Sequence, residues 1–470
     1  MSNAGGTRSR KPQHGAVLLG AAGGMLVIAA GLAGGYYVLG SRGEATAATL
    51  PTKAATKVEP GHGIPAAQPT NATVLSAYLA RKVTVKTSSG PVQMTWAELG
   101  VEADPDEMAH SPVSTDADIA TYAAKAEIPV RVDREKAIAA LLVLKAKTDK
   151  SPTNAYLDLE EHKIYDDTSG MGLDIWGSLP RIVAAARQAQ PTLELSSIAV
   201  PAAVTKTGLG IDDISQVMGH YETKFPVTDR DRNYNLKLAA SKVNGYVMKP
   251  GEEWSFNGTV GERSQATGYK IAHVIEKGEM VDGLAGGTCQ ISTTLFGAAF
   301  FAGLEIVKTT NHSRPSAYTP LGFDATVVWP NTDLKLKNTY DFPVALRYVV
   351  ANGEAKVEVL GKGRPFDKIV FEREVIETTP FSSEERLDEE LPVGYQSTDQ
   401  AGFDGYHLTR YRKFYKGDKL VKTNKWDVNY KPVTEYIRKG TNPDTTIKTP
   451  EPHVPKGLVP PKSDKFSMAQ

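Results

Sequence analysis

A single cysteine, Cys289, stands among the 470 residues. One thiol cannot close an intramolecular disulfide, and it cannot supply a cysteine-cluster zinc site. The nine histidines include no His-x-x-x-His or similar close pair, so neither a metal nor a cofactor is expected. An excess of one charge is missing too: Lys plus Arg and Asp plus Glu stand at 54 each. No global field then draws the chain to nucleic acid, which is not expected as a partner. What is present is length and apolar content, 470 residues at 41% hydrophobic, sufficient for two to four domains with cores of their own.

One apolar run is long. Residues 15–40 carry no charge and are rich in Ala, Leu, Val and Gly, and a helical bilayer crossing needs roughly 20 such residues. Arg8, Arg10 and Lys11 precede the run and only Arg42 follows closely. This bias places residues 1–14 in the cytoplasm and everything after residue 42 outside it, periplasmic or extracellular. A cleaved signal peptide is the competing reading, with small residues at Ala45 to Ala47, although signal cores usually run about 7–15 residues. Residues 41–73, mostly Ala, Thr, Pro and Gly, read as a flexible tether. An unpaired thiol exported in this way is exposed to oxidation, and its retention asks for a reason.

The expected fold is α+β and multidomain: a transmembrane helix, an α+β domain over 74–207, a central α+β domain over 208–351, a small all-β domain over 366–441, and a disordered Pro- and Lys-rich tail over 442–470. The first domain opens with a hairpin, Val83 to Lys86 and Val92 to Trp96 about a Ser-Ser-Gly turn. Two helix-and-strand units follow. Asp133 caps a helix to Lys147 with Ile138, Leu141, Leu142 and Lys145 on one face, then a strand near Ala155 to Leu159. Asp174 opens a helix to Ala189 with Leu179, Ile182, Val183 and Ala186 on one face, then a strand Leu193 to Val200. The repeated plan reads as an internal duplication.

In the central domain, Ile291, Leu295, Ala298, Ala299 and Ala302 recur at helical spacing, with Gly287 and Thr288 at the start and Gly303 at the end. Cys289 therefore falls in a first helical turn, where unsatisfied N–H groups and the macrodipole favour a thiolate. His312 follows at the end of a strand Leu304 to Thr310. Asp324 precedes a strand Ala325 to Trp329, with Asp333 and Asn311 as alternative orienting groups. Cysteine at a helix start, then histidine, then acid is the order in papain-like and transglutaminase-like thiol enzymes, and this order resembles theirs. The competing account makes Cys289 a small buried hydrophobe and His312 a loop partner. Arg232, Asn233 and Asn235 precede the apolar positions Leu236, Leu238, Ala239 and Val243 of another helix and read as capping and loop-locking residues, and Trp254 to Asn257 read as a short strand with an Asn-Gly corner leading to Gly261 and Arg263. His273 reads as a strand residue and His162 as isolated.

Together these residues resemble the VanW family of bacterial envelope proteins. Arg232, Asn233, Asn235, Gly245, Pro250, Gly251, Ser255, Phe256, Asn257, Gly261, Arg263, Gly268 and Tyr269 match its first half. Gly286, Gly287, Cys289, Gln290, Ser292, Thr293, Thr294 and Leu295 match its centre, and His312, Ser313, Pro315, Tyr318, Gly322, Asp324, Asp333, Leu334 and Asn338 its second half. Thr288 departs from the aliphatic residue usual there. The resemblance implies a cell-envelope setting and an association with glycopeptide (vancomycin) resistance. Residues 74–207, through Glu98, Leu99 and Gly100, resemble the peptidoglycan-binding-type domain that often precedes a VanW domain. Leu391 to Gly394, Gly402, Gly405, Arg410, Gly417, Tyr430, Pro432 and Gly440 resemble a G5 domain, which implies glycan binding.

Two function classes follow. In the first, a membrane-anchored envelope protein binds peptidoglycan or another wall glycan or peptide, with Arg232, Asn233, Asn257, Arg263, Ser292, Thr293 and Tyr318 as candidate binding residues. In the second, a thiol enzyme acts on wall peptides by acyl transfer or amide hydrolysis, with Cys289 as nucleophile, His312 as base, Asp324 orienting it, and Gln290 or helix N–H groups as oxyanion donors.

Overall fold

A computed structural model describes residues 71–276, 279–444, 446–452 and 463–470. The expected cytoplasmic segment, membrane helix and nearly all of the tether lie outside the described residues. Among the described residues no helix is long and apolar enough to cross a membrane. Residues 71–73, expected in the tether, begin a helix, Asn71–Leu79.

The N-terminal α+β domain forms around the expected hairpin, Lys82–Thr87 with Gly90–Thr95, whose alternate residues Val83 and Val85 are fully buried. Both expected helices form behind Asp caps: Asp133 before Arg134–Thr148 and Asp174 before Ile175–Arg187. The inward face of the first is displaced from the expected one. Ala137, Leu141, Leu144 and Thr148 are buried, while Leu142 is 51% exposed. The strands also correct the duplication. Tyr156–Asp158 pairs only with Lys163–Tyr165 in a hairpin, whereas Thr192–Glu194 runs parallel to Lys82–Thr87 and Ser197–Val200 pairs with Gly170–Leu173. The two units thus share helix chemistry but not sheet partners. The 156–165 hairpin reaches the central domain: His162, expected to be isolated, lies 3.3 Å from Glu358, which also binds Arg347 and Lys356.

The central sheet runs Gln216–Lys224, Glu354–Gly361, Val344–Ala351, Val247–Met248, all neighbours antiparallel. On it lies the cysteine helix, Thr288–Phe301, buried along almost its whole length. Two glycines set that closeness. Gly287 precedes the helix at φ 102°, and Gly297 faces Tyr221, whose ring atoms would stand 2.4 Å from any Cβ at that position. The arginine-bearing helix, Arg230–Val243, begins at a cap on Asp229, so the capping expected of Arg232 and Asn233 falls to Asp229 and both lie in the first turn, ahead of the buried Leu236, Ala239 and Val243. Glu253–Ser255 is a strand, but Ser255 caps a helical turn, Phe256–Val260, where an extended run was expected. His273 lies on the strand Ile271–Glu276. Glu305–Lys308 is a strand, and 325–329 is not: beyond the isolated bridge between Val328 and Thr332, its backbone joins no sheet. Side chains of the cysteine helix take up that backbone instead, as described below.

The C-terminal domain is all-β. Lys368–Thr379, Gly405–Lys416 and Lys419–Tyr430 form a long antiparallel meander, while Ser383–Pro392, Glu435–Asn442 and Gln396–Gln400 make a second sheet. The expected disordered tail is corrected in part. Lys465–Ala469 adds an edge strand to Lys368–Thr379, and Gln470 exchanges hydrogen bonds with the His220 backbone. A short alternating Lys-Phe-Ser-Met-Ala run behind the Pro-rich stretch supplies it.

One hydrophobic core spans the central and C-terminal domains. Phe323 stands at its centre, with Phe371 at 4.6 Å, Phe296, Phe300 and Tyr221 each at 5.1 Å, and Phe301 at 5.7 Å between ring centroids. Such pairs contribute about 0.5–1.5 kcal/mol each beyond area burial. Helix propensity favours Ala over Gly by about 1 kcal/mol, but the Tyr221 contact decides the sign at Gly297. Gly297→Ala is expected to destabilise the fold by about 1–3 kcal/mol, measured as a lowered denaturant midpoint; an unchanged or raised midpoint would contradict this packing.

Candidate active site

The helix start, the 311–324 loop and the 325–333 segment converge on Cys289. Cys289 is half-buried, and its Sγ lies 3.2 Å from Thr326 Oγ1 and 3.5 Å from the Val327 carbonyl. The side chains one turn along explain why 325–329 needs no sheet. Ser292 Oγ donates to the Ala325 carbonyl at 2.5 Å, and Thr293 Oγ1 accepts from the Ala325 N–H at 3.0 Å. The hydroxyls of Ser292 and Thr293 are thus spent on the backbone beside the thiol and are not free to bind a ligand.

His312 and Asp324 meet as a buried pair. His312 Nδ1 lies 2.6 Å from Asp324 Oδ2, and the His312 N–H donates to the same oxygen at 2.7 Å. The other oxygen, Oδ1, accepts from the Tyr430 hydroxyl, which arrives from the C-terminal domain. With Nδ1 turned to Asp324, Nε2 is the ring nitrogen left for Cys289, with which His312 interacts electrostatically. Tyr318 sets its ring edge-on to the imidazole at 6.4 Å. Ser316 Oγ lies 3.2 Å from Nδ1.

These contacts set the charges. Burial opposes the thiolate, but the hydrogen bond and charge of His312, with Thr326, overcome it and bring the Cys289 pKa down to about 7. Burial likewise opposes a charged His312; Tyr318, Asp324 and Cys289 outweigh it and hold the ring well above its usual value. Burial would raise Asp324, and the His312 and Tyr430 hydrogen bonds keep it below the ordinary carboxylate range. A thiol that begins to ionise at neutral pH beside a charged imidazole is the result.

Several expected roles change. Gln290 is not an oxyanion donor: Nε2 gives both hydrogens away, to Thr223 Oγ1 at 2.9 Å and the Lys224 carbonyl at 3.0 Å, and Oε1 accepts from Arg232 at 2.7 Å. Among the helix N–H groups, those of Thr288 and Gln290 go to the Ala285 and Gly287 carbonyls, which leaves that of Cys289. Asp333 does not orient His312, since its carboxylate accepts from Ser255 Oγ at 2.6 Å and from the Asn257 N–H at 2.9 Å. Asn311 instead ties its own loop to the Asn429 carbonyl at 2.8 Å. Asn257 shapes the 328–333 turn by donating to the Val328, Pro330 and Thr332 carbonyls, and it accepts from Arg263. Asn233 donates to the Pro226 carbonyl. Arg232 and Arg263 keep one buried guanidinium nitrogen each without a partner. Tyr430 and Thr326 were missed as site residues. Among the described residues no cluster fit to hold a metal ion occurs.

Residues 231–360 match the VanW-like protein family, and residues 371–442 match the G5 domain. The chain is 42% identical over 133 residues to the uncharacterized protein YoaR of Bacillus subtilis (strain 168), covering 28% of this chain and 44% of that one. It is 32% identical over 120 residues to the vancomycin B-type resistance protein VanW of Enterococcus faecalis (strain ATCC 700802 / V583), covering 24% and 44%. The chain thus spans less than half the length of these curated relatives. A solved G5 domain of IgA1 protease aligns at 20% identity and a TM-score of 0.12, over 17% of this chain and 99% of that one. The chain carries a VanW-like domain at residues 231–360, followed by a G5 domain at residues 371–442.

Proposed function

We propose that this protein is a cysteine-dependent acyl-transfer or amide-hydrolysing enzyme acting on peptides of the bacterial cell envelope. The observation that carries the reading is the chain of contacts from a partly exposed Cys289, through His312, to a fully buried Asp324. A thiol serving only as a packed hydrophobe needs neither a charged imidazole nor a carboxylate behind it.

In this reading the Cys289 thiolate attacks the carbonyl carbon of an amide, and the oxygen takes the negative charge opposite the Cys289 N–H. His312 gives its Nε2 proton to the leaving amine as the C–N bond breaks, leaving a thioester. A water or an acceptor amine then attacks, His312 takes its proton, and the C–S bond breaks to release an acid or a new amide and restore the thiolate. Asp324 keeps Nδ1 protonated and the ring oriented throughout.

The envelope setting is supported by the VanW-like and G5 domains, by the printed name of the Enterococcus relative, and by the apolar run 15–40, taken as a membrane anchor that holds the remainder outside the cytoplasm. The G5 domain and the N-terminal domain would hold wall polymer close to the thiol. In the N-terminal domain Trp176 is 65% exposed, and Tyr156 stacks on Tyr165 with centroids 4.8 Å apart, surfaces that suit sugar rings. A role in glycopeptide resistance belongs to the same proposal.

Iodoacetamide alkylation of Cys289 in the full-length protein is expected to rise with pH about a midpoint near 7, below the free thiol's value of about 8.5. His312→Ala removes the largest of the contacts that favour the thiolate and leaves Thr326 and Val327 against burial, so the midpoint should move upward. If the thiol reacts only after denaturation, the catalytic reading fails and binding stands in its place.

Tyr430→Phe deletes one donor to Asp324. The carboxylate becomes easier to protonate, its hold on the imidazolium weakens, and the Cys289 midpoint should move upward while the fold loses about 1–3 kcal/mol. A stability loss with an unmoved alkylation profile would assign Tyr430 to packing alone.

A further inference from the structure

We propose that Arg232 and Arg263 form a carboxylate-binding subsite beside Cys289, so that the peptide held there carries a free carboxylate near its reacting amide. This deepens the proposed function and rests on it.

Both arginines are fixed to the framework around the thiol. The Arg232 stem crosses the helix start, its Cγ 3.2 Å from where a Cβ on Gly287 would stand, and its Nη2 is held by Gln290, the residue after the cysteine. Arg263 Nη1 is held by the Asn257 side chain at 2.9 Å and the Gly261 carbonyl at 3.3 Å. Asn257 in turn grips the Val328, Pro330 and Thr332 carbonyls, on the segment whose Val327 carbonyl contacts Sγ. Both guanidinium groups also interact electrostatically with Cys289.

Among the described residues every acceptor of these two guanidinium groups is neutral: an amide oxygen for Arg232, an amide oxygen and a backbone carbonyl for Arg263. Acidic residues stand near without pairing. Asp229 caps its helix through the Arg232 N–H, and Asp333 is bonded to Ser255 and Asn257. Arg232 Nη1 and Arg263 Nη2 are left buried with no hydrogen-bond partner among the described residues, and so is the hydroxyl of Tyr269, beside Arg263. A buried charged donor without an acceptor is costly, and native structures keep few of them. Two such donors of the same sign at one thiol call for an anionic acceptor from outside the chain. Guanidinium groups match the planar, two-oxygen geometry of a carboxylate.

Two alkylating agents of nearly equal size test this, anionic iodoacetate and neutral iodoacetamide. The His312 imidazolium attracts iodoacetate in every variant, so the deciding quantity is the change in the rate ratio of the two reagents. Arg232→Gln and Arg263→Gln should each lower the iodoacetate-to-iodoacetamide ratio about tenfold, the loss of one charge-assisted hydrogen bond, with Arg→Lys retaining part of it. Ratios that stay at the unsubstituted value overturn the subsite. A second measurement needs no substitution: millimolar N-acetyl-alanyl-alanine should protect Cys289 from iodoacetamide, and its C-terminal amide should not. Equal protection by acid and amide, or protection by neither, also overturns it. The neutral reagent's pH midpoint reports thiol activation separately, so failure of the subsite and failure of the catalytic reading give different results.

Discussion

The site depends on one buried charge. Asp324 is 1% exposed, and a carboxylate removed from water is tolerated only when its oxygens are bonded. Three donors do this: the His312 backbone N–H and Nδ1 on one oxygen, and Tyr430 on the other. The first two curl the 312–324 loop back on itself. The third commits the VanW-like domain to its neighbour, because Tyr430 belongs to the G5 meander and also accepts from the Gly322 N–H. Once Asp324 is satisfied, the imidazole has a fixed direction and a charge, and the thiol's ionisation follows from that.

Other contacts between the two domains converge on the same loop. Arg373 donates to the Leu321 carbonyl, Arg410 to the Gly322 carbonyl, and the Lys431 N–H to the Ser313 carbonyl. Arg410 lies over the Phe296 and Trp426 rings, and burial lowers its pKa to about 10, with Tyr430 and Asp324 opposing the shift. At the far end of the cysteine helix, Arg412 donates to the Phe300 carbonyl in its last turn and to the Leu304 carbonyl just beyond it. The G5 sheet therefore supplies hydrogen bonds both to the loop carrying His312 and to the C-terminal end of the helix whose first turn carries Cys289.

The local parts were legible in the sequence. The caps at Asp133 and Asp174, the hairpin at 82–95 and the cysteine helix with its glycine start all follow from patterns a few residues long. The order of cysteine, histidine and acid could be read, and the structure brings Cys289, His312 and Asp324 together. What could not be read depended on distant partners. Leu142 is exposed because the neighbours of its helix, rather than its own periodicity, choose the inward face. The 325–329 run looks like a strand, yet Ser292 and Thr293 satisfy its backbone in place of a sheet. Gln290 offers a donor beside the cysteine, and only the fold reveals that Thr223 and Lys224 have already taken it. Tyr430 sits 106 residues from Asp324 with no local pattern that points to the contact.

The Tyr430 contact also bears on how such a protein can diversify. Modules strung along a chain can be exchanged by recombination when their borders carry few bonds. A crossover between the VanW-like and G5 domains would separate Asp324 from its third donor and leave the carbonyls of Leu321 and Gly322 without their arginines. Such a hybrid keeps Cys289, His312 and Asp324 and loses part of the surroundings that charge them. Selection to keep the buried Asp324 satisfied would then favour inheritance of residues 231–442 as one block, with exchange of modules confined to either side of it.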